Sequence, residues 1–367
     1  MNRLKIFSFF SGSGFLDLGF ELNGYTIEMV NEISTPFMRA YQYARKIMGL
    51  PTPEYGYANR DINEYLAVRK NELSSLIIKA RGDGDFIGFI GGPPCPDFSI
   101  AGKQKGRDGN NGKLSLAYVN LIVEHRPDFF LFENVKGLWQ TARHRQYYEE
   151  LKTKLFDAGY EMADRLVNAL EYGVPQDRDR ILLFGVKRNL ADNTLGNVQD
   201  NFKWENHISY SLDALKRIPW PKTSPFEEDK KTACPDGVPA ELTVQYWFDK
   251  NHVNTHPNKN DCFVPRSGIQ KMRTVMEGDD SKKSYKRLHR WRYSPTVAYG
   301  NNEVHLHPYK ARRLTVAESL SLQALPQSFA LPPDMTLTDK FKTTGNGVPF
   351  LLADGIAKTI KDYLTRR

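Results

Sequence analysis

Leu4 to Phe10 is an apolar, β-prone run that stops at Ser11-Gly12-Ser13-Gly14, the pattern of a strand entering a tight turn. Phe15 to Leu22 then reads as a helix and Tyr25 to Val30 as a second strand. Ser34 to Met48 reads as a second helix, with Ser34 as N-cap and Pro36 in its first turn. Asp85 to Ile90 predicts a strand ending at Gly91-Gly92-Pro93-Pro94-Cys95. Leu114 to His125 predicts a helix, and Phe129 to Phe132 a strand ending at Glu133-Asn134. Tyr147 to Ala158 predicts another helix and Arg180 to Val186 another strand. Strands alternating with helices argue for an α/β domain, doubly wound on a mostly parallel sheet. Ligands of such sheets sit beyond the carboxyl ends of the strands. The SGSG turn, the PPC turn and the Glu-Asn pair all fall there.

After about residue 190 the alternation fades. Residues 191–310 are rich in Asn, Pro, Lys and His and predict a second, smaller, irregular domain. Leu314 to Leu325 and Phe350 to Leu364 regain helical spacing and are expected to pack back on the first domain, which then comprises 1–190 plus 311–367. Charge adds to this picture. The net charge is +8, and residues 271–313 alone hold 11 Lys/Arg against 4 Asp/Glu. Tyr285, His289, Trp291, Tyr293 and Tyr299 are interleaved there, which favours a nucleic-acid surface over a merely solvated face. Hydrophobic residues make up 40% of the chain, enough to exclude wholesale disorder. No run approaches the roughly 18 apolar residues of a membrane span. The N-terminal apolar run breaks at Ser11, too soon for a signal peptide. The three cysteines, Cys95, Cys234 and Cys262, form no CxxC pair, so a reducing compartment, the cytoplasm, is expected. Cys234, His252, His256 and Cys262 lack the close ligand pair of common zinc sites, and no metal is expected.

The candidate chemistry lies at the strand ends. The glycines of the SGSG turn let a ligand approach the backbone at a helix N-terminus. Glu32 lies 20 residues after Gly12, where an acid can bond ribose hydroxyls. Together they indicate an adenosine-type cofactor, without separating a nicotinamide from S-adenosylmethionine. Asp61-Ile62 falls where a third strand would end and is placed to meet an adenine edge. Cys95 follows two prolines that stiffen its approach. A Gly- and Lys-rich stretch comes next and reads as a loop closing over substrate. Nearby cations would lower the thiol pKa and make it a nucleophile. Glu133 could donate a proton if it faces Cys95. Arg180, in Gln176-Asp177-Arg178-Asp179-Arg180, could anchor a carbonyl or phosphate oxygen, although a surface ion-pair ladder explains that pattern too.

Taken in order, these segments resemble the DNA (cytosine-5)-methyltransferases of bacterial restriction-modification systems. The resemblance rests on FSGSGFLDLGFE at 10–21, NE at 31–32, GGPPCPDFSIAGKQKG at 91–106 and ENVKG at 133–137. It continues with YGVPQDRDRILLFG at 172–185, RRLTVAESLSLQALP at 312–326 and GNGVP at 345–349. It implies the S-adenosylmethionine-dependent methyltransferase fold, with residues 191–310 as the target-recognition domain. It implies S-adenosylmethionine as cofactor, S-adenosylhomocysteine as product and no metal. Phe10 would stack near the sulfonium, Gly12 and Gly14 meet the amino-acid part, and Glu32 the ribose. Asp61 and Ile62 would meet the adenine, Pro94 would line the pocket, and Asn346 would close it. Cys95 would attack carbon 6 of a flipped-out cytosine and Glu133 would bind ring nitrogen 3. Arg180, with Arg178, would hold the ring carbonyl side or orient the loop. Ser99, Lys103, Gln104 and Lys105 from the loop would contact double-stranded DNA, as would Arg290, Arg292 and Thr296 from the second domain. Thr296-Val297 is similar to the short Thr-hydrophobic element of such domains. The resemblance further implies a monomer beside a separately acting cognate restriction endonuclease. Two departures bear on cofactor affinity. Phe15 replaces the second glycine of a frequent pair, and Ile33, counted with the cofactor residues, stands where some members carry an aromatic. A tRNA cytosine-5 methyltransferase, a nucleotide-binding oxidoreductase and a non-catalytic DNA-binding protein are the competing readings.

Overall fold

Alternation along the first strand sorts its side chains between two cores. In β1 (Leu4–Phe9), Leu4 and Ile6 enter one cluster while Phe7 and Phe9 enter the other. The further strands are β2 (Thr26–Asn31), β3 (Tyr57–Ala58), β4 (Phe86–Gly91), β5 (Phe129–Val135), β6 (Tyr160–Asn168), β7 (Gln176–Asp177) and β8 (Asp179–Lys187). All but β7 form one sheet in the order β3-β2-β1-β4-β5-β8-β6. The first five run parallel, and β8 lies antiparallel to both β5 and β6. The structure is a computed structural model that describes residues 3–94, 110–191, 197–264, 268–282, 284–296 and 305–365.

Helices cover both faces. They include α1 (Phe15–Glu21), α2 (Thr35–Met48), α3 (Lys70–Ala80), α4 (Asn110–His125), α5 (Lys136–Gln140) and α6 (Ala142–Asp157). Leu16 and Phe20 of α1 and Leu352, Ile356 and Ile360 of the helix Phe350–Thr365 pack on the face that holds Ile6. Leu73 and Ile77 of α3, Tyr118 and Leu121 of α4 and Leu151 of α6 pack on the face that holds Phe9. There the Phe9 and Phe89 rings lie 5.0 Å apart. Each such buried aromatic stabilises the fold by about 1.5–3 kcal/mol. The expected doubly wound, mostly parallel α/β sheet is therefore present.

The antiparallel end of the sheet has a simple cause. The segment between Asn168 and Asp179 is too short for a parallel crossover, which takes about a dozen residues or more, so β8 turns straight back along β6. Neither β6, α3 nor the helix Leu337–Asn346 has a counterpart among the expected elements. Glu161, Asp164 and Arg165 interrupt the apolar alternation of β6, which lies at the sheet edge. β5 also runs past Phe132 to Val135, so Glu133 and Asn134 are strand residues rather than a turn.

Residues beyond 190 do not separate cleanly. Val198, Phe202 and Trp204 are buried in the same core as β8, with the Phe184 and Phe202 rings stacked 4.4 Å apart. The segment just past the boundary expected at 190 thus shares the core of the sheet. Farther on, Val244, Phe248 and Leu288 pack with Leu314, Ala317 and Leu322. The helix Val316–Leu322 thus seats the middle of the chain against its end. The described strands in the middle, Lys286–Arg287, Ser294–Pro295 and His305–Leu306, are two residues each, which fits the irregular pattern there. Among the described residues no helix is long and apolar enough to cross a membrane.

Candidate active site

Parallel register brings the turns together. Phe9 pairs with Gly91 and Gly91 with Phe132, so the turns after β1 and β4 and the end of β5 share one sheet edge. Phe10 and Gly12 have φ of 53° and 55°, and Gly14 has 85°. Positive φ at a non-glycine residue such as Phe10 costs about 1–3 kcal/mol and persists only where its surroundings enforce it. Gly14 is required twice over, by its φ and because an added Cβ would lie 2.6 Å from the Tyr41 ring. Beneath the turn, buried Asp17 accepts from Ser8 Oγ and Tyr41 Oη, both at 2.8 Å. The signal for that layer was one acid in the otherwise apolar stretch FLDLGF.

Glu32 closes the turn from β2. Its carboxylate accepts from the Gly12 N–H at 2.9 Å and the Ser34 N–H at 2.7 Å. Asn59 Nδ2 donates to the Glu32 carbonyl, tying in the strand that leads to Asp61. Asp61 caps the short helix Ile62–Leu66 through the Asn63 N–H. The Ile62 side chain does not face a ligand as expected. It is buried in the sheet core. Ile33 is 63% exposed, an apolar side chain beside the Glu32 carboxylate.

Glu133 sits where β5 passes the turn after β4. An added Cβ at Gly92 would lie 2.5 Å from Glu133 Oε2, so any other residue there would have to displace that carboxylate. Asn134 Nδ2 lies 3.4 Å from the Pro93 carbonyl. Arg180 Nε is 2.7 Å from Glu133 Oε1, and both side chains are about nine-tenths buried. The acids of Gln176–Arg180 face elsewhere. Asp179 pairs with Lys136 at 2.7 Å, and Asn168 Nδ2 donates to both Asp177 and Asp179. This segment is thus an ion-pair ladder on one side and a site wall on the other. Pro94 is exposed; Cys95, Ser99, Lys103, Gln104 and Lys105 lie outside the described residues.

Arg178, expected with Arg180 to hold the ring carbonyl side or to orient the loop, makes side-chain contacts to the C-terminal segment. It is 1% exposed, and its Nη2 donates to the carbonyls of Gly345 at 2.9 Å and Gly347 at 3.0 Å. It holds the chain on both sides of Asn346, which is itself exposed. The same segment reaches the SGSG turn, with Ser13 Oγ and Thr343 Oγ1 2.6 Å apart. An added Cβ at Gly347 would meet the Phe15 ring at 2.1 Å. Phe15, in place of a glycine, is accommodated by that glycine.

The candidate DNA residues divide. Thr296 is exposed, and its hydroxyl donates to the Asp177 carbonyl at 2.6 Å, beside the site. Arg292 is half-buried beside Tyr293. Arg290 is not available for a phosphate as expected. Its side chain is buried, forked onto both oxygens of Glu277 at 2.8 and 2.7 Å. Arg287 is also fully buried, donating to the carbonyls of Met272, Val275, His307 and Lys310. The basic stretch thus spends part of its charge on its own backbone. Among the described residues no group of three or more His, Cys, Asp or Glu is placed to hold a metal. His256 instead accepts from the Asn258 N–H.

The model of the C-5 cytosine-specific DNA methylase family matches residues 4–362. The chain belongs to the C-5 cytosine-specific DNA methylases. The methylase is 56% identical over 363 residues to the Type II methyltransferase M.NmeDI of Neisseria meningitidis serogroup C, covering 99% of this chain and 84% of that one. It is 31% identical over 386 residues to the Type II methyltransferase M.FnuDI of Fusobacterium nucleatum, covering 99% and 95%. Its fold is that of a DNA modification methyltransferase encoded within an E. coli prophage, with a TM-score of 0.68 at 23% identity over 99% of both chains. The Dnmt2 methyltransferase of S. pombe aligns with a TM-score of 0.60 at 13% identity, over 98% of this chain and 99% of that one. The family match favours DNA as substrate over the tRNA reading and removes the oxidoreductase.

Methyl transfer in this family implies S-adenosylmethionine, and the turn of the methylase fits such a ligand. No described atom lies within 4 Å of where a Gly12 Cβ would stand, so the backbone there faces open space. Ser11 Oγ is buried with no hydrogen-bond partner among the described residues. Burial pushes the Glu32 carboxyl above the ordinary glutamate range, and the N–H groups of Ser34 and Gly12 pull it partly back. A carboxylate accepts from ribose hydroxyls on more sites than a carboxyl does. S-adenosylhomocysteine should therefore bind more weakly as pH falls, with a midpoint above that of a free glutamate, and Glu32→Gln should remove that dependence. Titration calorimetry showing the same pH profile in both proteins would contradict this.

Proposed function

We propose that this methylase is the modification enzyme of a Type II system, methylating carbon 5 of one cytosine within a specific duplex sequence. The observation that carries the site assignment is the buried Glu133–Arg180 pair, packed against Gly92 three residues before Cys95. Carbon 5 of cytosine is a poor nucleophile. Addition of the Cys95 thiolate to carbon 6 makes the ring enamine-like and carbon 5 nucleophilic. Glu133 supplies the proton or hydrogen bond at ring nitrogen 3 that stabilises this adduct, and Arg180 holds Glu133 in place. S-adenosylmethionine, when bound over Phe10, Gly12 and Glu32, supplies the methyl group. Loss of the carbon 5 proton then expels the Cys95 thiolate. Thiolate access above the ring needs the base out of its stack. Residues 1–190 with 311–367 form the catalytic part, extended by the segment around Phe202. Residues 210–310 carry target recognition, including Arg292 and Thr296. The enzyme acts as a monomer in the cytoplasm, with a cognate endonuclease acting separately on unmodified sites.

Bisulfite sequencing of DNA from cells expressing the chain tests this reading. Protected cytosines should share one short sequence, absent from control DNA. Unmodified DNA together with methylated tRNA would overturn it.

A further inference from the structure

Three consecutive residues, Gln176, Asp177 and Arg178, touch two parts of the chain that serve different ligands. On one side, the backbone of Gln176–Asp177 pairs in parallel with Ser294–Pro295. The Ser294 N–H donates to the Pro175 carbonyl at 2.8 Å, and Thr296 Oγ1 donates to the Asp177 carbonyl at 2.6 Å. On the other side, Arg178 Nη2 holds the carbonyls of Gly345 and Gly347, flanking Asn346. A buried amide chain runs parallel to it. Gln176 Nε2 donates to the Leu322 carbonyl at 3.1 Å, Gln323 Nε2 to the Thr344 carbonyl at 2.6 Å, and the Phe350 N–H to the Gln323 carbonyl at 2.9 Å. Gln176 and Gln323 are both fully buried. Close-packed, fully bonded polar groups shift as a unit, because moving one alone leaves a buried donor or acceptor unpaired at about 1–3 kcal/mol.

We propose that Arg178 is a positioning residue that couples the two binding events, transmitting the placement of Thr296 on DNA to the Gly345–Gly347 segment that covers the cofactor. This inference rests on the methylase reading above. Arg178 reaches neither ligand's reacting atoms; it fixes the carbonyls between which Asn346 is presented. Coupling of this kind is reciprocal, so cofactor binding must tighten DNA binding by the same factor that DNA binding tightens cofactor binding.

The test measures duplex affinity of the full chain with and without saturating S-adenosylhomocysteine, using a duplex that carries the sequence found by bisulfite sequencing. In the wild type the product should tighten duplex binding about tenfold, within the usual span of coupled sites. Thr296→Val, at an exposed position that should not disturb folding, is expected to shrink that ratio to less than about twofold, and Thr296→Ser, which keeps the hydroxyl, to retain it. Arg178→Met, which keeps an unbranched side chain but has no donor for the two carbonyls, should behave like Thr296→Val. A full wild-type ratio in Thr296→Val, or a ratio of one in the wild type, would overturn the inference while leaving the methylase reading intact. A wild type that binds neither S-adenosylhomocysteine nor any duplex would overturn that reading, and this inference with it.

Discussion

Cys95→Ser should abolish methyl transfer while leaving duplex binding and S-adenosylhomocysteine binding near wild-type strength. The rate loss is expected to be at least about 10⁴-fold, the scale seen when a covalent nucleophile is removed from a site whose other parts remain. Serine is nearly isosteric, but its hydroxyl stays protonated where a thiol is partly ionised, so it cannot add to carbon 6. The pattern of loss matters more than its size. The positioning groups, Glu133, Arg180 and the Glu32 turn, are elsewhere in the chain and are untouched by the substitution. Gel-shift and single-turnover transfer assays on the same preparation separate the two effects. Transfer by the variant at more than about a hundredth of the wild-type rate would contradict the assignment of Cys95. Unchanged function in cells would favour a non-catalytic DNA-binding protein.

The second large effect concerns the Glu133–Arg180 pair. Glu133→Gln keeps the shape of the side chain beside Gly92 but removes the ionisable proton and weakens the hold of Arg180. The expected cost in single-turnover rate is about 10²–10⁴-fold, the usual worth of a positioned acid. Arg180→Gln should cost a comparable factor and also lower stability by about 3–5 kcal/mol, because it leaves a mostly buried carboxylate without its cation. The pair acts as a unit, so the double variant should be little slower than the worse single one. Multiplicative losses would mean that Arg180 meets the substrate independently of Glu133.

The sheet and its site edge were legible because their signals are local. Leu4 to Phe10 and Asp85 to Ile90 are mostly apolar runs, and each stops at a glycine turn that the fold uses. Glu32 was legible from spacing alone, and it does reach the turn, through the Gly12 N–H. What stayed hidden depends on partners that the fold brings together and no local pattern marks. β6 carries charges that are satisfied across the sheet edge, as Arg165 is by Glu171 at 2.7 Å and Asp164 by Lys152 at 3.0 Å. Its alternation was therefore masked. Arg178 and Arg180 look alike in the sequence, two residues apart, one just before β8 and one within it. They diverge only because the Gly345–Gly347 carbonyls stand beside one and Glu133 beside the other. Arg290 reads as one more cation of a basic stretch, but both oxygens of Glu277, 13 residues earlier, take one edge of its guanidinium. Charge counting along a chain cannot tell a solvated arginine from one that holds the backbone together.

The most direct test is chemical trapping. A duplex carrying 5-fluorocytosine at the methylated position blocks loss of the carbon 5 substituent after transfer, so an adduct through sulfur cannot resolve. With S-adenosylmethionine present, the chain should migrate as a denaturation-resistant protein–DNA complex, with the cross-linked peptide containing Cys95 and no complex from Cys95→Ser. Methylation of ordinary duplex without any such complex on the fluorinated one, or a cross-link to another residue, would contradict the account.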